Sequence, residues 1–165
     1  MPDTNRIVIV NATPIISLAL IGQLPLLSAL YHHVLTPPAV EAEVLAGGTS
    51  GIGVSELRKY DWIQVTPLQD PRRADLLSDL DRGEAEVIAL AQEINADLVV
   101  IDERLARRHA KRLGLTLTGT IGVLLKAKQR NLIPLVSPLI DTLQKNGIRL
   151  GDALVAEALR LAGEV

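Results

Sequence analysis

The chain has 165 residues, 48% of them hydrophobic and 22% charged, with a formal net charge of −2, the balance of a globular protein long enough to bury one core. That charge excludes a polycation, so any nucleic-acid contact must come from a local patch. Cysteine is absent, which excludes disulfides, thiolate nucleophiles and Cys-built zinc sites, and His32, His33 and His109 lack the spacing of metal ligands.

In chain order, Ile7–Val10 is the first expected strand, followed by helices over Thr13–Ala19 and Leu24–Tyr31, separated by Gly22. His33–Leu35 is a short second strand ended by Pro37 and Pro38. A helix follows over Ala39–Leu45, since proline is tolerated in a first turn, and Gly47 and Gly48 close it. Ser50–Tyr60 reads as a weaker helix and Trp62–Thr66 as a strand. The mixed segment Pro67–Gly83 holds at most a short helix around Leu76 and Leu77. The second half continues with a helix at Gly83–Asn95, a strand at Leu98–Ile101, a helix at Glu103–Leu113 closed by Gly114, and a strand at Leu115–Thr118. Helices at Ile121–Gln129, Leu135–Gln144 and Asp152–Ala162 complete it. Apolar runs alternating with stretches of helical period indicate an α/β chain with a mostly parallel central sheet. No repeat, low-complexity tract or second domain interrupts it, so residues 1–165 are expected to form one domain.

No charged side chain lies between Arg6 and Glu41, as in a signal peptide or membrane span. However, Asn11, Pro14, Gln23 and Pro25 break the run before it reaches the ~20 apolar residues that a span requires. Residues 1–6 make a poor signal-peptide start, and no small-residue cleavage site follows. The segment is therefore expected to be core, and the protein cytoplasmic with no membrane contact.

Side chains that act in parallel sheets gather at the carboxyl ends of strands. Asn11 follows IVIV and Asp102 follows LVVI; the plain reading of each is a cap for the next helix. On the helix that begins at Gly83, Val87, Ile88, Leu90, Ala91 and Ile94 share one arc of a wheel turning about 100° per residue. Glu84 falls inside that arc and Glu86 just outside it. A carboxylate on a buried arc is costly unless paired or bound to a cation, although Glu84 could equally complete a capping box with Asp81. Arg104, Arg107, Arg108, Lys111 and Arg112 recur at helical spacing as one basic stripe. It starts two residues after Asp102, where an anionic polymer would lie. Leu105, His109, Ala110 and Leu113 make the opposite face, which sets His109 at the edge of the core.

The ordered set NATPIISL, PPAVEAEV, DRGEAEVIALA, VVIDERLARRHAKRLGL and TGTIGVLLKAK resembles the PIN-domain family, and within it the VapC-like prokaryotic branch. The resemblance runs from Ile7 to about Leu132, leaving 132–165 as a C-terminal helical extension. It implies a three-layer α/β/α PIN-like domain and a ribonuclease, in VapC proteins a toxin held by a cognate antitoxin. It also implies RNA as substrate, a homodimer, and Mg or Mn bound by an acidic cluster. By the same resemblance the four ligating and catalytic positions are Asn11, Glu43, Glu84 and Asp102. The family's separation of about eighteen positions between its third and fourth acids, matched by Glu84 and Asp102, favours Glu84 over Glu86 as the third acid. Thr13, Glu86, Thr118 and Thr120 would be supporting residues, and Arg104, Arg107, Arg108, Lys111 and Arg112 would contact RNA. Asn11 departs from the family, which has Asp there: its amide oxygen can ligate a cation but brings no charge and cannot act as a base. Two other readings remain open, a weakened or inactive PIN domain that binds RNA or protein, and a receiver-like phosphoryl-transfer domain, which would want an acidic cluster where only Asn11 stands.

Overall fold

The computed structural model describes residues 5–47 and 51–165. Gly48 and Ser50, expected to close one helix and open the next, lie outside the described residues, as do the first four. Five strands, β1 (Val8–Val10), β2 (Val34–Thr36), β3 (Ile63–Val65), β4 (Leu98–Val100) and β5 (Leu117–Thr118), pair in the order β3-β2-β1-β4-β5. Every pairing is parallel, with Ile9 opposite Leu35 on one side and Val99 on the other. Residues 8–10 and 98–100 are buried without alternation, as strands are when helices cover both faces of a sheet.

The helices described are α1 (Ala12–Leu20), α2 (Leu26–Tyr31), α3 (Pro38–Leu45), α4 (Val54–Lys59), α5 (Arg72–Asp75), α6 (Arg82–Glu93), α7 (Arg104–Arg112), α8 (Thr120–Gln129), α9 (Ser137–Lys145) and α10 (Asp152–Ala162). Helices α3 to α7 pack against one another as one group and α2, α8 and α10 as another, while α1 touches both α3 and α8. The result is the three-layer α/β/α arrangement. No described helix is long and apolar enough to cross a membrane.

The connections run from β1 outward through β2 to β3, then return to β4 on the other side of β1 and on to β5. The order therefore reverses between β1 and β4, and in open parallel sheets ligand sites form at that point, outside the carboxyl ends of the strands. Asn11 and Asp102 follow the two strands that flank it.

Several boundaries differ from expectation for identifiable reasons. The short helix lies at Arg72–Asp75 rather than around Leu76 and Leu77. Asp70 starts it by accepting the Arg72 amide at 3.1 Å, Ala74 is its buried anchor, and Leu76 is left 84% exposed. β2 is displaced by one residue because Thr36 is fully buried and donates its hydroxyl to the Val10 carbonyl at 2.9 Å. The apolar face of α2 is core: Leu26, Leu27, Leu30 and Tyr31 are all buried within the chain. On α7 the buried positions are Ala106 and Ala110, whereas Leu105 and Leu113 are exposed.

The C-terminal helices are fastened by Glu164. Its carboxylate accepts Lys128 Nζ at 2.8 Å and the Val136 and Ser137 amides at 2.8 and 2.9 Å, so it caps α9 while tying α10 to α8. Burial raises its pKa, but these donors outweigh that and leave it lowered. Removing a charged acceptor from three donors costs about 1–3 kcal/mol. Glu164→Ala is accordingly expected to lower the midpoint of urea unfolding with m unchanged, and Glu164→Gln to recover part of the loss.

Candidate active site

Asn11 is 3% exposed, and its backbone N–H donates to the Val100 carbonyl at 3.0 Å, which locks the end of β1 to β4. It occupies the N-cap position of α1, yet its side chain makes no capping hydrogen bond. The plain capping reading thus fails for Asn11. Two residues on, the Thr13 hydroxyl donates to Glu103 Oε1 at 2.8 Å.

Asp102 does not cap the helix that follows it either. Its Oδ1 accepts the Thr120 amide at 2.8 Å and its Oδ2 accepts the Thr120 hydroxyl at 2.6 Å. The carboxylate therefore sits at the N-terminus of α8, across β5, where the helix dipole favours negative charge. Thr120 is the first residue of α8, with Gly119 at the N-cap, so its hydroxyl positions Asp102 rather than capping its own helix. A Cβ at Gly119 would lie 2.5 Å from Asp102 Oδ1 and 3.3 Å from Arg107 Nη1. Thr118 lies beside them in the same groove.

The helix-borne acids converge from α3 and α6. Asp81 caps α6 by accepting the Glu84 amide at 2.8 Å. A Cβ at Gly83 would stand 3.4 Å from Glu43 Oε1 and 3.5 Å from Asp81 Oδ1, which places the Glu43 carboxylate beside the first turn of α6 and its cap. Glu86, although outside the wheel's apolar arc, is the more buried of the pair at 9% exposed. It accepts the Ala39 amide at 3.1 Å and Arg82 Nε at 2.9 Å. Glu86 thereby holds α3 against α6, while Glu84 faces the other acids.

The crowding is visible in the acidities. Desolvation, hydrogen bonding to Asp81 and the charges of Asp81, Glu103 and Glu43 push the Glu84 pKa up to about 8. Glu43 is also raised, by desolvation and by Asp81 and Glu103. Asp81 and Glu103 are thus part of the acidic surroundings, though sequence reading singled out neither as a site residue. The trace of Asp81 lay in its capping box, and that of Glu103 in its position directly after Asp102. Because Glu84 binds its proton more tightly when folded, that stabilisation is complete below the ordinary value of 4.5, declines as pH rises, and is lost above about 8. Glu84→Gln, which mimics the protonated acid, is expected to raise the melting temperature at pH 9 by about 2–4 °C in EDTA and to leave it unchanged at pH 4. That corresponds to about 1 kcal/mol, a heavy discount for the solvent that still reaches the group.

The basic stripe divides. Arg104, Arg107, Arg108 and Lys111 line an open groove of about 380 Å³ that begins at Asp102. Arg107 turns inward, donating to the Ile101 carbonyl at 2.7 Å. Arg112 faces elsewhere, with its Nη2 3.4 Å from His109 Nδ1. His109 Nε2 in turn meets Asp79 Oδ2 at 2.9 Å, tying α7 to the turn before α6.

Among the described residues, no three Asp, Glu or His side chains stand together as a ready-made metal site. The donor chemistry nevertheless fits a hard divalent cation, which takes oxygen ligands and keeps several waters. Glu43 and Glu84 supply carboxylates whose pKa values burial and neighbouring acids raise, Asp102 supplies a third, and the Asn11 side chain makes no capping hydrogen bond. These four residues are the ones that would hold such an ion.

A family profile described as a PIN domain matches residues 7–164, nearly the whole chain. No curated protein matches it at a significant level.

Proposed function

This chain belongs to the PIN-domain family, a nuclease-type fold, and from that premise we propose that it is a divalent-metal-dependent endoribonuclease of the VapC-like branch. It hydrolyses RNA phosphodiester bonds in the cytoplasm, as the toxin of a toxin–antitoxin pair, with an antitoxin and a second copy of itself as partners. The observation that carries the reading is the juxtaposition of Asp102, seated on the N-terminus of α8, with the cationic groove of Arg104, Arg107, Arg108 and Lys111 that opens from it.

The parts divide the chemistry plainly. Glu43, Glu84, Asp102 and Asn11 would hold Mg or Mn, which lowers the pKa of bound water and offsets charge on phosphate oxygens. Thr120 and the α8 N-terminus hold the Asp102 carboxylate facing the cleft. Thr13 holds Glu103 beside it, and Glu86 with Arg82 sets the α3–α6 spacing. The guanidinium groups of α7 draw the phosphate backbone along their groove and fix its register without reading bases. Supporting the reading further, burial and the neighbouring charges of Asp81 and Glu103 raise both Glu43 and Glu84, and a bound cation would offset that crowding of negative charge.

Asn11 sustains a second reading, in which the same groove binds RNA or protein with little or no cleavage. The two part on one experiment, cleavage of single-stranded RNA in Mg²⁺, Mn²⁺ and EDTA by the wild type and by Asn11→Asp. The enzymatic reading expects metal-dependent cleavage that Asn11→Asp increases by about tenfold or more, since a restored charge near a divalent ion is worth over 1 kcal/mol even at high effective dielectric. No cleavage by either protein at any metal concentration leaves the binding module.

A further inference from the structure

Two grooves meet at Asp102, and only the one along α7 is accounted for by the basic stripe. The second, of about 630 Å³, runs from Asp102, Thr118 and Thr120 to the connection between α9 and α10, where Ile148, Arg149 and Leu150 form its far wall. That connection belongs to the part of the chain beyond Leu132, outside the span of the recognisable motifs.

Arg149 is exposed and has no hydrogen-bond or ion-pair partner among the described residues. By contrast Arg72, Arg82 and Arg160 are each committed to a carboxylate. Between Arg149 and Asp102 the groove is walled by aliphatic side chains, among them Ile121, Leu125 and Leu154. Leu154 is 48% exposed, although α10 could have buried it had its face been turned inward. An unpaired guanidinium over an apolar concavity suits one kind of anion. Its flat fork matches phosphate oxygens, and the aliphatic walls suit the face of a base. Double-stranded RNA could not use such a concavity, because its bases are stacked inside the helix, whereas a single strand can splay one out.

We propose that the second groove holds an unpaired nucleotide of the RNA strand next to the bond presented at Asp102, with Arg149 on its phosphate and the Ile121–Leu125–Leu154 wall against its base. The inference rests on the ribonuclease reading above and adds to it a substrate-holding role for Arg149 and the α9–α10 connection.

The test uses the whole chain in EDTA, so that binding is read without cleavage, and a short fluorescent single-stranded RNA followed by anisotropy. Arg149→Ala is expected to weaken binding roughly 3- to 10-fold and to reduce the slope of log affinity against log salt by about 0.7, the loss of one phosphate contact on a single strand. Arg149→Lys should recover most of the slope. With the wild type, an abasic nucleotide at one position of the strand should weaken binding several-fold, and in Leu154→Asn that penalty should vanish. Both altered residues are exposed, so the fold is not at stake. If Arg149→Ala binds as the wild type does while Arg104→Ala/Arg108→Ala binds weakly, the inference is overturned and the groove is left to a polypeptide, with the ribonuclease reading intact. If the wild type binds no RNA, both fall.

Discussion

Asp102→Ala is expected to abolish RNA cleavage, a loss of at least about 10²-fold, the scale on which removing one positioned charge-stabilising group slows an enzyme. The same change strands two donors, the Thr120 amide and hydroxyl, and should lower stability by about 1–3 kcal/mol. Asp102→Asn separates the two effects. Its amide can still accept from the Thr120 amide and can donate to the Thr120 oxygen, so unfolding should move little. The charge is gone, however, so cleavage should fall nearly as far as in Asp102→Ala. Steady-state cleavage and urea unfolding on both variants check this. Equal loss of stability in the two would mean that Asp102 is mainly a structural anchor for α8.

Gly119→Ala should cost at least about tenfold in cleavage without any side chain of the site being removed. The backbone there is extended, with φ −131° and ψ −172°, a conformation any residue adopts, so the effect is purely steric. The added methyl would meet Asp102 Oδ1 at 2.5 Å and Arg107 Nη1 at 3.3 Å. The carboxylate cannot swing aside without giving up its hydrogen bonds to Thr120, and Arg107 is held by the Ile101 carbonyl. Gly151→Ala is the matched control, because a Cβ there meets nothing within 4 Å and φ is −64°. Comparable activity of Gly119→Ala and the wild type would show that the Asp102 carboxylate is free to move.

Much of this architecture is legible in the sequence because burial on both faces writes strands as plain apolar runs. IVIV and LVVI announce β1 and β4, and the polar residue after each marks the carboxyl end of its strand. Local capping chemistry was legible in part: of the capping box expected between Asp81 and Glu84, the structure forms the half in which Asp81 accepts the Glu84 amide. What escaped depends on contacts between distant segments. Asp102 accepts from Thr120, 18 residues away across β5, so its service to α8 rather than α7 could not be read locally. Glu86 is buried because α3 lies on it and Arg82 pairs with it, which a single-helix wheel cannot know. The exposure of Leu105 and Leu113 escaped for a related reason. The small residues Ala106 and Ala110 allow α7 to pack closely through a narrow seam, leaving the leucines at its margins. Arg149 gave no signal at all, being a single charge in a connection without periodicity.

In the proposed enzyme, Glu43, Glu84 and Asp102 share one divalent cation with Asn11. Titration calorimetry with Mn²⁺ on the whole chain tests it most directly, comparing the wild type with Asn11→Asp, Glu84→Gln and Asp102→Asn. A single class of site is expected, with affinity that rises in Asn11→Asp, where a fourth charge is restored, and falls by about tenfold or more in each of the other two. Binding that is absent from the wild type and from Asn11→Asp, or that is indifferent to all three substitutions, would contradict it.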